Sequence, residues 1–377
     1  MPRFSCLFFW MSLLNKEQEK RIADFIKKGA EEGVYPGAVL LIERGGEIVF
    51  FRETGYLSLI PEHVPMKKDT IFDLASLTKV LATTLAIMRL VDQERVGLDQ
   101  PLSEIIRSPL KDKGELTPRL ILNHSSGFAA WKPFYLDLVK VEPKKRKNLL
   151  RELIKNEPPA YGPGEACIYS DLGFMLLEWV IEEASDMQLD PFMNMVFYEP
   201  LSLKRTFLSK GSMPPQFNKD EIAATEDCPW RKRIIQGEVH DENAYALGGY
   251  SGHSGLFGDA EDVLSIIDML RGHYRGERHD YFRPEIVREF FRRQDIVKGS
   301  SWALGWDTPS AINSSSGRYF SPRSLGHLGF TGISLWMDLD RDIAVIFLTN
   351  RVHPTRDNQR IKAFRPVLHD LIMREIL

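Results

Sequence analysis

One stretch of sequence, Ser76-Leu77-Thr78-Lys79, decides the fold together with the apolar residues that follow it. Ser76 and Lys79 lie three positions apart, so on a helix they share one face and lie within contact distance. The next residues are apolar nearly all round the predicted helix, namely Val80, Leu81, Thr84, Leu85, Met88 and Val91. A helix that is apolar on all sides is buried. The sequence therefore predicts a buried helix that begins at a serine and carries a lysine one turn later.

Two interpretations of this serine and lysine remain open at this point. An amine deprived of water can lose its proton near neutral pH and activate a neighbouring hydroxyl, and a helix N-terminus favours the developing negative charge. Alternatively, Ser76 is an N-cap and Lys79 is solvated. The motif alone is not specific, because Ser108-Pro109-Leu110-Lys111 repeats it in a polar segment that we predict to be a loop. From the four residues alone, the capping serine is favoured.

The two ends of the chain both predict strands and a helix. Apolar residues at helical spacing indicate an amphipathic helix over residues 16–32, and a final helix is predicted from Asp357, with Pro366 expected to kink or split it. Strands are predicted on either side of two short turns, at residues 38–43 and 47–53 and at residues 333–339 and 343–349. The two chain ends therefore supply one sheet and its flanking helices.

The middle of the chain has a different pattern. From Ser76 to about residue 200 it is mostly helical, and residues 211–255 are irregular and rich in glycine. We therefore predict an α/β (α+β) fold in which an antiparallel sheet from both ends carries an inserted helical lobe. One domain would span residues 16–375, with a sheet lobe (16–75 plus 256–375) and a helical lobe (76–255). Chemistry is expected at the seam between the lobes.

The composition excludes several classes of protein. The 377 residues are 43% hydrophobic and 27% charged, with a formal net charge of −3, which is typical of a globular protein. No basic stripe predicts nucleic-acid binding, since the run Lys144-Lys145-Arg146-Lys147 is interpreted as a solvated helix face. The three cysteines, Cys6, Cys167 and Cys228, lack metal or disulfide spacing and are expected to be free thiols.

The N-terminus is ambiguous. Arg3 precedes an apolar stretch, Phe4 to Leu14, that is too short to span a membrane and lacks a small-x-small cleavage site. Met11 is an alternative start, because a polar helix follows it directly. Residues 1–15 are therefore treated as an uncertain extension, and a cytoplasmic location is favoured over a periplasmic one.

Two further motifs accompany the serine and lysine. Tyr169-Ser170-Asp171 begins an apolar helix, and a phenol near an ammonium can serve as general base and then acid; the alternative is a packed tyrosine with a capping residue. The segment 327–332, His-Leu-Gly-Phe-Thr-Gly, precedes a strand. Gly329 would allow close approach of a substrate backbone, and a backbone N–H there could pair with that of Ser76 in an oxyanion hole. The alternative is a glycine-rich turn.

Together, Ser-x-x-Lys, Tyr-Ser-Asp and His-x-Gly occur in this order, each at a suitable structural element. In this the chain resembles the serine β-lactamase-related superfamily, which includes class C β-lactamases, D-alanyl-D-alanine carboxypeptidases, D-aminopeptidases and related esterases. The resemblance covers about residues 16–375 and is supported by Pro36-Gly37-Ala38-Val39 and by the segment Leu122–Gly127. The segments Gly252–Phe257 and Leu348–Pro354 resemble penicillin-binding protein 4B-like hydrolases more narrowly. The resemblance implies a β-lactamase/transpeptidase-like fold.

The resemblance also implies roles for individual residues. Ser76 would attack a carbonyl to form an acyl-enzyme, Lys79 would help to remove its proton, and Tyr169 would act as base or acid. The N–H groups of Ser76 and Phe330 would stabilise the oxyanion, and His327 and Gly329 would form the third motif.

Two positions depart from class C β-lactamases, which usually have Asn where this chain has Asp171 and Lys where it has His327. A histidine near its normal pKa is largely neutral at pH 7. Both changes suit a peptidase-like or esterase-like enzyme better than a β-lactamase.

We therefore predict a serine hydrolase that cleaves an ester or amide in a small molecule or short peptide, without metal or cofactor. A β-lactamase, and a penicillin-binding or sensor module without turnover, remain alternatives. A metallohydrolase using His240, Asp241, His253 or His327 is less well supported, because no H-E-x-x-H or compact ligand cluster supports it in the sequence. For the first three of these residues we favour loop packing. Arg351 could bind a substrate carboxylate, although an arginine after a strand is usually exposed.

The oligomeric state is not predicted.

Overall fold

The structure is a computed structural model that describes residues 14–377. Cys6, Met11 and all of the apolar stretch before Leu14 lie outside the described residues, so the expectations for the N-terminus are not addressed. Among the described residues, no helix is both long enough and apolar enough to cross a membrane.

The strands lie mainly toward the two ends of the chain. In chain order they are β1 (Gly37–Arg44), β2 (Glu47–Ser58), β3 (Val64–Pro65), β4 (Phe72–Asp73), β5 (Phe207–Leu208), β6 (Asp227–Cys228), β7 (Arg233–Ile234), β8 (Leu256–Gly258), β9 (Leu325–Leu328), β10 (Ser334–Asp338) and β11 (Ile343–Thr349). Within residues 14–377 the main sheet has six strands in the order β3-β2-β1-β11-β10-β9. A small sheet, β4-β8-β5, lies beside the candidate site described below.

The helices include two terminal ones and a cluster in the middle of the chain. In chain order they are α1 (Lys16–Glu31), α2 (Thr84–Asp92), α3 (Leu102–Ile105), α4 (Pro118–Leu122), α5 (Tyr135–Leu138), α6 (Pro143–Asn156), α7 (Asp171–Ser185), α8 (Leu189–Met193), α9 (Glu242–Ala246), α10 (Ala260–Arg275), α11 (Pro284–Phe291) and α12 (Ile361–Ile376).

The centre of the main sheet is formed by the first and last long strands. β1 pairs antiparallel with β11, with Ala38 opposite Thr349, and both strands are buried apart from Arg44. Alternate side chains point to opposite faces: Leu40 and Phe347 pack under α1 and α12, and Leu41 and Ile346 pack toward α10 and the helical region. Because both faces are covered, these strands are almost continuously apolar, and the predicted fold class is confirmed.

Three local predictions need correction. The helix expected from Ser76 is instead a 3-10 turn (Ala75–Leu77), a π-helical turn (Lys79–Thr83) and then α2. The last helix begins at Ile361 rather than Asp357, because Asn358 lies in a turn whose side-chain amide donates to the carbonyls of Gly33 and Val34. Pro366 does not split α12; it lies in the second turn and the helix continues to Ile376.

Two other expectations concern the basic run at residues 144–147 and the cysteine thiols. The thiols of Cys167 and Cys228 are free. Of the basic run in α6, only Lys144 and Lys145 are exposed. Lys147 lies 2.8 Å from a Glu178 oxygen and pairs with Glu182 as well, so the run is only partly a solvated face.

Candidate active site

The turn that carries Ser76 is held in an unusual conformation. Ala75 has a φ of +47°, in the left-handed region that residues with a side chain rarely adopt. Asp73 maintains this turn, since one of its carboxylate oxygens accepts a hydrogen bond of 2.9 Å from the Ala75 N–H. The Thr78 hydroxyl donates to the Ala75 carbonyl at 2.6 Å. The turn therefore holds Ser76, which is only half-buried, at the wall of a cavity.

Lys79 is the centre of the site. Its side chain is 0% exposed, and its Nζ lies 3.0 Å from Ser76 Oγ and 2.7 Å from an oxygen of Asp171. Nζ also donates to the carbonyl of His253 at 3.1 Å and lies 4.8 Å from the centre of the Tyr169 ring. The structure thus brings two separate motifs into one cluster, Ser76 with Lys79 and Tyr169 with Asp171.

The charge of Lys79 differs from the expectation that burial would release its proton. Burial does lower the pKa of Lys79, but the Asp171 carboxylate and Tyr169 raise it by more, so the pKa lies above its ordinary value. Lys79 is therefore an ammonium at neutral pH and donates a hydrogen bond to Ser76. The resting site thus holds the ammonium beside the Asp171 carboxylate, and neither the neutral amine nor the solvated lysine, the two interpretations left open by the sequence, describes it.

Tyr169 lies among aromatic rings. Its ring centre is 4.7 Å from that of His124, 5.7 Å from that of Trp302 and 5.8 Å from that of His327. Burial raises the pKa of Tyr169, and Lys79 lowers it by a smaller amount, so the phenol is protonated at neutral pH. A protonated phenol beside an ammonium is suited to donate a proton to a leaving group.

The turn after β9 approaches the Ser76 turn closely. A Cβ on Gly329 would lie 3.1 Å from the carbonyl oxygen of Leu74, so a side chain there would crowd the nucleophile turn. The Thr331 hydroxyl donates to the Asp73 carbonyl at 2.9 Å and ties the two turns together. Among residues 14–377, the backbone N–H groups of Ser76 and Phe330 have no hydrogen-bond partner. Both are free to donate to a ligand in the cavity.

His327 lies at the end of β9 and carries no charge. It is buried, its Nδ1 lies 2.9 Å from the carbonyl of Leu328, and its Nε2 has no partner among the described residues. Burial lowers its pKa to about 3, with a further contribution from the Lys79 ammonium. The third motif therefore contributes a neutral ring at neutral pH.

His253 and Asp241 line the same cavity, as well as organising their loop. Asp241 caps α9 by accepting from the Ala244 N–H at 2.7 Å, and the same oxygen lies 2.9 Å from His253 Nε2. One ligand atom from each of Asp171, Asp241 and His253 lies within 4.8 Å of the others. The Lys79 ammonium already supplies positive charge to this group, so the cluster is compensated without an ion.

The cavity has a volume of about 790 Å³ and lies where the ends of β9 and β11 meet the helical region. It is lined by every residue predicted for the site except Lys79, which lies beneath Ser76. Sequence reasoning missed several members of its wall, and three of them are Asp73, Trp302 and Arg365. None of the three belongs to a motif; the apolar helix pattern around Arg365 was the only available signal, because a charge on a buried face is unusual.

This arrangement of fold and site agrees with comparisons to known proteins. A family model described as Beta-lactamase matches residues 22–367, and the chain belongs to that family. A Salmonella agona protein described as "Putative D-alanyl-D-alanine carboxypeptidase" is 32% identical over 370 residues, which cover 90% of this chain and 84% of that protein. The chain is accordingly a serine hydrolase of the β-lactamase family.

Solved structures share the fold. EstCE1, described as a hydrolase with promiscuous acyltransferase activity, matches with a TM-score of 0.70 at 22% identity, covering 93% of this chain and 99% of that chain. The octameric penicillin-binding protein homologue from Pyrococcus abyssi matches with a TM-score of 0.69 at 20% identity, covering 93% and 77%. At this level of identity the likeness establishes the fold alone.

Proposed function

We propose that this protein hydrolyses an ester or amide in a small molecule or short D-amino-acid peptide through an acyl-enzyme on Ser76. The observation that carries the proposal is the contact between the buried Lys79 ammonium and Ser76 Oγ, at 3.0 Å, with Asp171 at 2.7 Å from the same ammonium. A serine hydroxyl is a weak nucleophile and needs an adjacent base. Lys79 is the nearest group that can become one.

The protonated resting state of Lys79 defines the first step. Lys79 passes a proton to Asp171, and the neutral amine then takes the Ser76 proton as Oγ attacks the carbonyl carbon. The N–H groups of Ser76 and Phe330 donate to the oxyanion. The bond to the leaving group breaks, and Tyr169 gives that group its proton. The first two transfers join groups in contact, because Lys79 Nζ lies 2.7 Å from Asp171 and 3.0 Å from Ser76 Oγ.

Deacylation reverses these transfers. The Tyr169 phenolate takes a proton from water, and the hydroxide attacks the seryl ester. Ser76 Oγ leaves and regains its proton from Lys79, which recovers its own proton from Asp171. One water is consumed, and the products are a carboxylic acid and an alcohol or amine.

Efficient hydrolysis of β-lactams is less well supported. His327 has a pKa of about 3 and adds no positive charge to the third motif at neutral pH. A penicillin-binding module without turnover is also less well supported, because Ser76, Lys79 and Tyr169 are all present and adjacent. The relative described as a "Putative D-alanyl-D-alanine carboxypeptidase" favours a hydrolase.

The first test is intact-mass spectrometry after incubation with penicillin and, separately, with p-nitrophenyl acetate. We expect an acyl adduct from at least one reagent on the wild-type protein and none on Ser76→Ala. Ser108→Ala is the matched control, because Ser108 begins the second Ser-x-x-Lys sequence and its lysine, Lys111, is exposed. The control should keep both the adduct and the turnover of p-nitrophenyl acetate. An adduct or turnover that survives in Ser76→Ala would overturn the proposal.

A further inference from the structure

His124 lies next to Tyr169 but takes no part in the proton transfers of the proposed reaction. Its φ is +61°, in the left-handed region that residues with a side chain rarely adopt. The residue is 1% exposed, and its ring centre lies 4.7 Å from that of Tyr169. Backbone strain of this kind persists only where the surrounding structure imposes it, and it gathers at functional sites. A strained, buried histidine beside the phenol is thus a candidate for a part in catalysis.

Hydrogen bonds from both chain neighbours of Tyr169 end on His124. The Ile168 N–H donates to the backbone carbonyl of His124 at 3.0 Å, and the Ser170 N–H donates to its ring nitrogen Nδ1 at 3.1 Å. Within residues 14–377, no other residue accepts from the backbone on both sides of Tyr169. His124 therefore holds the chain immediately before and immediately after the phenol.

The ring of His124 must be neutral to accept from Ser170. Because Nδ1 accepts from an N–H, it carries a lone pair, and the proton of the neutral ring lies on Nε2. Burial lowers the pKa of His124 well below its ordinary value, and the Lys79 ammonium and His327 lower it further. The acceptor is therefore available to the Ser170 N–H at neutral pH.

The turn that contains His124 also holds the loop that leads to the phenol. The Gly127 carbonyl accepts from the Ala160 N–H, and the Ser125 carbonyl accepts from the Gly164 N–H, both at 2.8 Å. The incoming loop is thus bonded along the turn before the chain reaches Tyr169.

The other rings around Tyr169 make no such backbone contacts. Trp302 and His327 lie 5.7 Å and 5.8 Å from the centre of its ring, and within the described chain neither accepts from Ile168 or Ser170. The His124 ring itself packs edge-on against Trp302, with the ring centres 4.3 Å apart. His124 is therefore the one neighbouring ring that is joined to Tyr169 through the backbone as well as by packing.

We propose that His124 is a positioning residue for Tyr169 and orients the phenol that protonates the leaving group. This inference rests on the proposed function, in which Tyr169 gives its proton to the departing alcohol or amine. Such a transfer requires the phenol to be within hydrogen-bond reach of the leaving atom. A phenol that is held through both of its chain neighbours keeps this position throughout the reaction.

Two leaving groups of different basicity provide the kinetic test. p-Nitrophenyl acetate and p-nitrobenzyl acetate differ by one methylene, but p-nitrophenolate departs without a proton, whereas the benzyl alkoxide needs one. His124→Phe keeps a ring, His124→Gly suits the left-handed backbone, and both remove the acceptor. We expect each variant to lose about tenfold more kcat/KM with the p-nitrobenzyl ester than with the p-nitrophenyl ester, which is part of the roughly 100-fold or more that a positioned acid supplies.

Two further variants show whether His124 acts through Tyr169. His124→Asn should keep the wild-type ratio of the two kcat/KM values, because its side-chain oxygen can accept from Ser170 and asparagine tolerates the left-handed region. Tyr169→Phe should show the selective loss, and adding His124→Gly to it should increase that loss little. The proposal is overturned if His124→Gly and His124→Asn have the same ratio, or if the selective losses add in the double variant.

His273→Phe is the matched control. His273 is also buried, its Nε2 accepts from the backbone N–H of Tyr281 at 3.1 Å, and it lies outside the cavity. His273→Phe should keep the wild-type ratio between the two esters, even where its melting temperature falls. A selective loss as large as that in His124→Phe would trace the effect to general destabilisation and would contradict the proposal.

Amide hydrogen exchange separates this proposal from the hydrolase function. It is followed in Ser76→Ala for the peptide that contains residues 168–170, because its exchange rate reports local opening. We expect faster exchange when His124→Gly is added to Ser76→Ala than when His124→Asn is added. If exchange differs in this way but the wild-type protein turns over neither ester, only the hydrolase proposal fails. Equal exchange in the two double variants would refute the positioning role of His124.

Discussion

At the scale of single residues, the site depends on the charge of Lys79. Its ammonium is buried against the Asp171 carboxylate at 2.7 Å, and it donates toward Ser76 rather than accepting from it. Because Lys79 is protonated at rest, the rate at which Ser76 is acylated depends on where the Lys79 proton goes. The group that sets this dependence is Asp171, because it raises the pKa of Lys79.

Asp171→Asn is therefore predicted to lower the pKa of Lys79, because it removes one adjacent opposite charge, and also to remove the acceptor to which Lys79 passes its proton in the proposed acylation step. Without that acceptor, Lys79 must lose its proton to solvent before it can act as a base. The ascending limb of the acylation rate, measured against pH with a chromogenic ester, should therefore move to higher pH, because the wild-type ion pair transfers this proton internally.

Asp137→Asn is the control for this substitution, because Asp137 ends the similar tripeptide Tyr135-Leu136-Asp137 and lies on the surface. Its pH profile should match that of the wild-type protein. An unmoved limb in Asp171→Asn would assign the base to Tyr169 in place of Lys79.

At the scale of structural elements, Asp73 connects three segments around the nucleophile. One carboxylate oxygen accepts from the Ala75 N–H at 2.9 Å and the other from the His240 N–H at 2.7 Å, while its carbonyl accepts from Thr331. Asp73 is thus a positioning residue for both the Ser76 turn and the turn that contains Phe330.

Asp73→Asn is predicted to disturb these turns, because an amide NH₂ must face one of two backbone N–H groups. An unsatisfied buried donor costs about 1–3 kcal/mol, so the free energy of unfolding in urea should fall by that amount. The kcat should fall more than KM changes, since the nucleophile and oxyanion donors move together.

The control is Asp69→Asn, whose carboxylate pairs with Arg205 at the surface and lies outside the cavity. Asp69→Asn should leave both the free energy of unfolding in urea and kcat nearly unchanged. Wild-type stability and kcat in Asp73→Asn would show that the turns hold their geometry without this carboxylate.

The elements also show what sequence could predict. The α1 helix and the β1–β2 hairpin depend on neighbours a few positions away, so their periodicity was sufficient. The residues Ser76 to Lys79 alone favoured a capping serine and a solvated lysine, because the burial of Lys79 depends on distant segments. The gathering of Tyr169 and His327 around Lys79 followed only from the family resemblance. Trp302 and Arg365 reach the cavity through packing between distant segments, and no local pattern marks such positions. The lobe boundaries near residues 75 and 255 stay a prediction.

At the scale of the whole molecule, several histidines are buried without charge. Burial lowers the pKa of His327 to about 3 and that of His369 to about 4. His369 lies between α12 and β10, where its Nδ1 is 2.8 Å from the Ser315 carbonyl and its Nε2 is 3.2 Å from Ser334 Oγ. Below pH 6.5 the unfolded chain binds protons at these positions, whereas the folded chain does not.

Stability is therefore predicted to be lost as pH falls from about 6.5 toward the folded pKa values. Each such histidine contributes a loss of about 1 kcal/mol between pH 6 and pH 5. Urea denaturation at the two pH values should show a smaller loss in His369→Gln than in the wild-type protein. His63→Gln, at an exposed position, should leave the loss unchanged. An equal loss in all three proteins would mean that His369 is protonated in the folded state.

The pairing of β1 with β11 has a consequence for how the molecule is made. Ala38 lies opposite Thr349, so the central pair of the sheet joins residues separated by almost the whole chain. During synthesis β1 and β2 leave the ribosome early and must wait for β11 before the sheet can close. Topologies with such distant pairings fold slowly and expose strand edges meanwhile. The Lys79 pocket, which is completed only by the β9–β11 region, is thus assembled last, and the nascent chain cannot carry out its chemistry before translation is nearly complete.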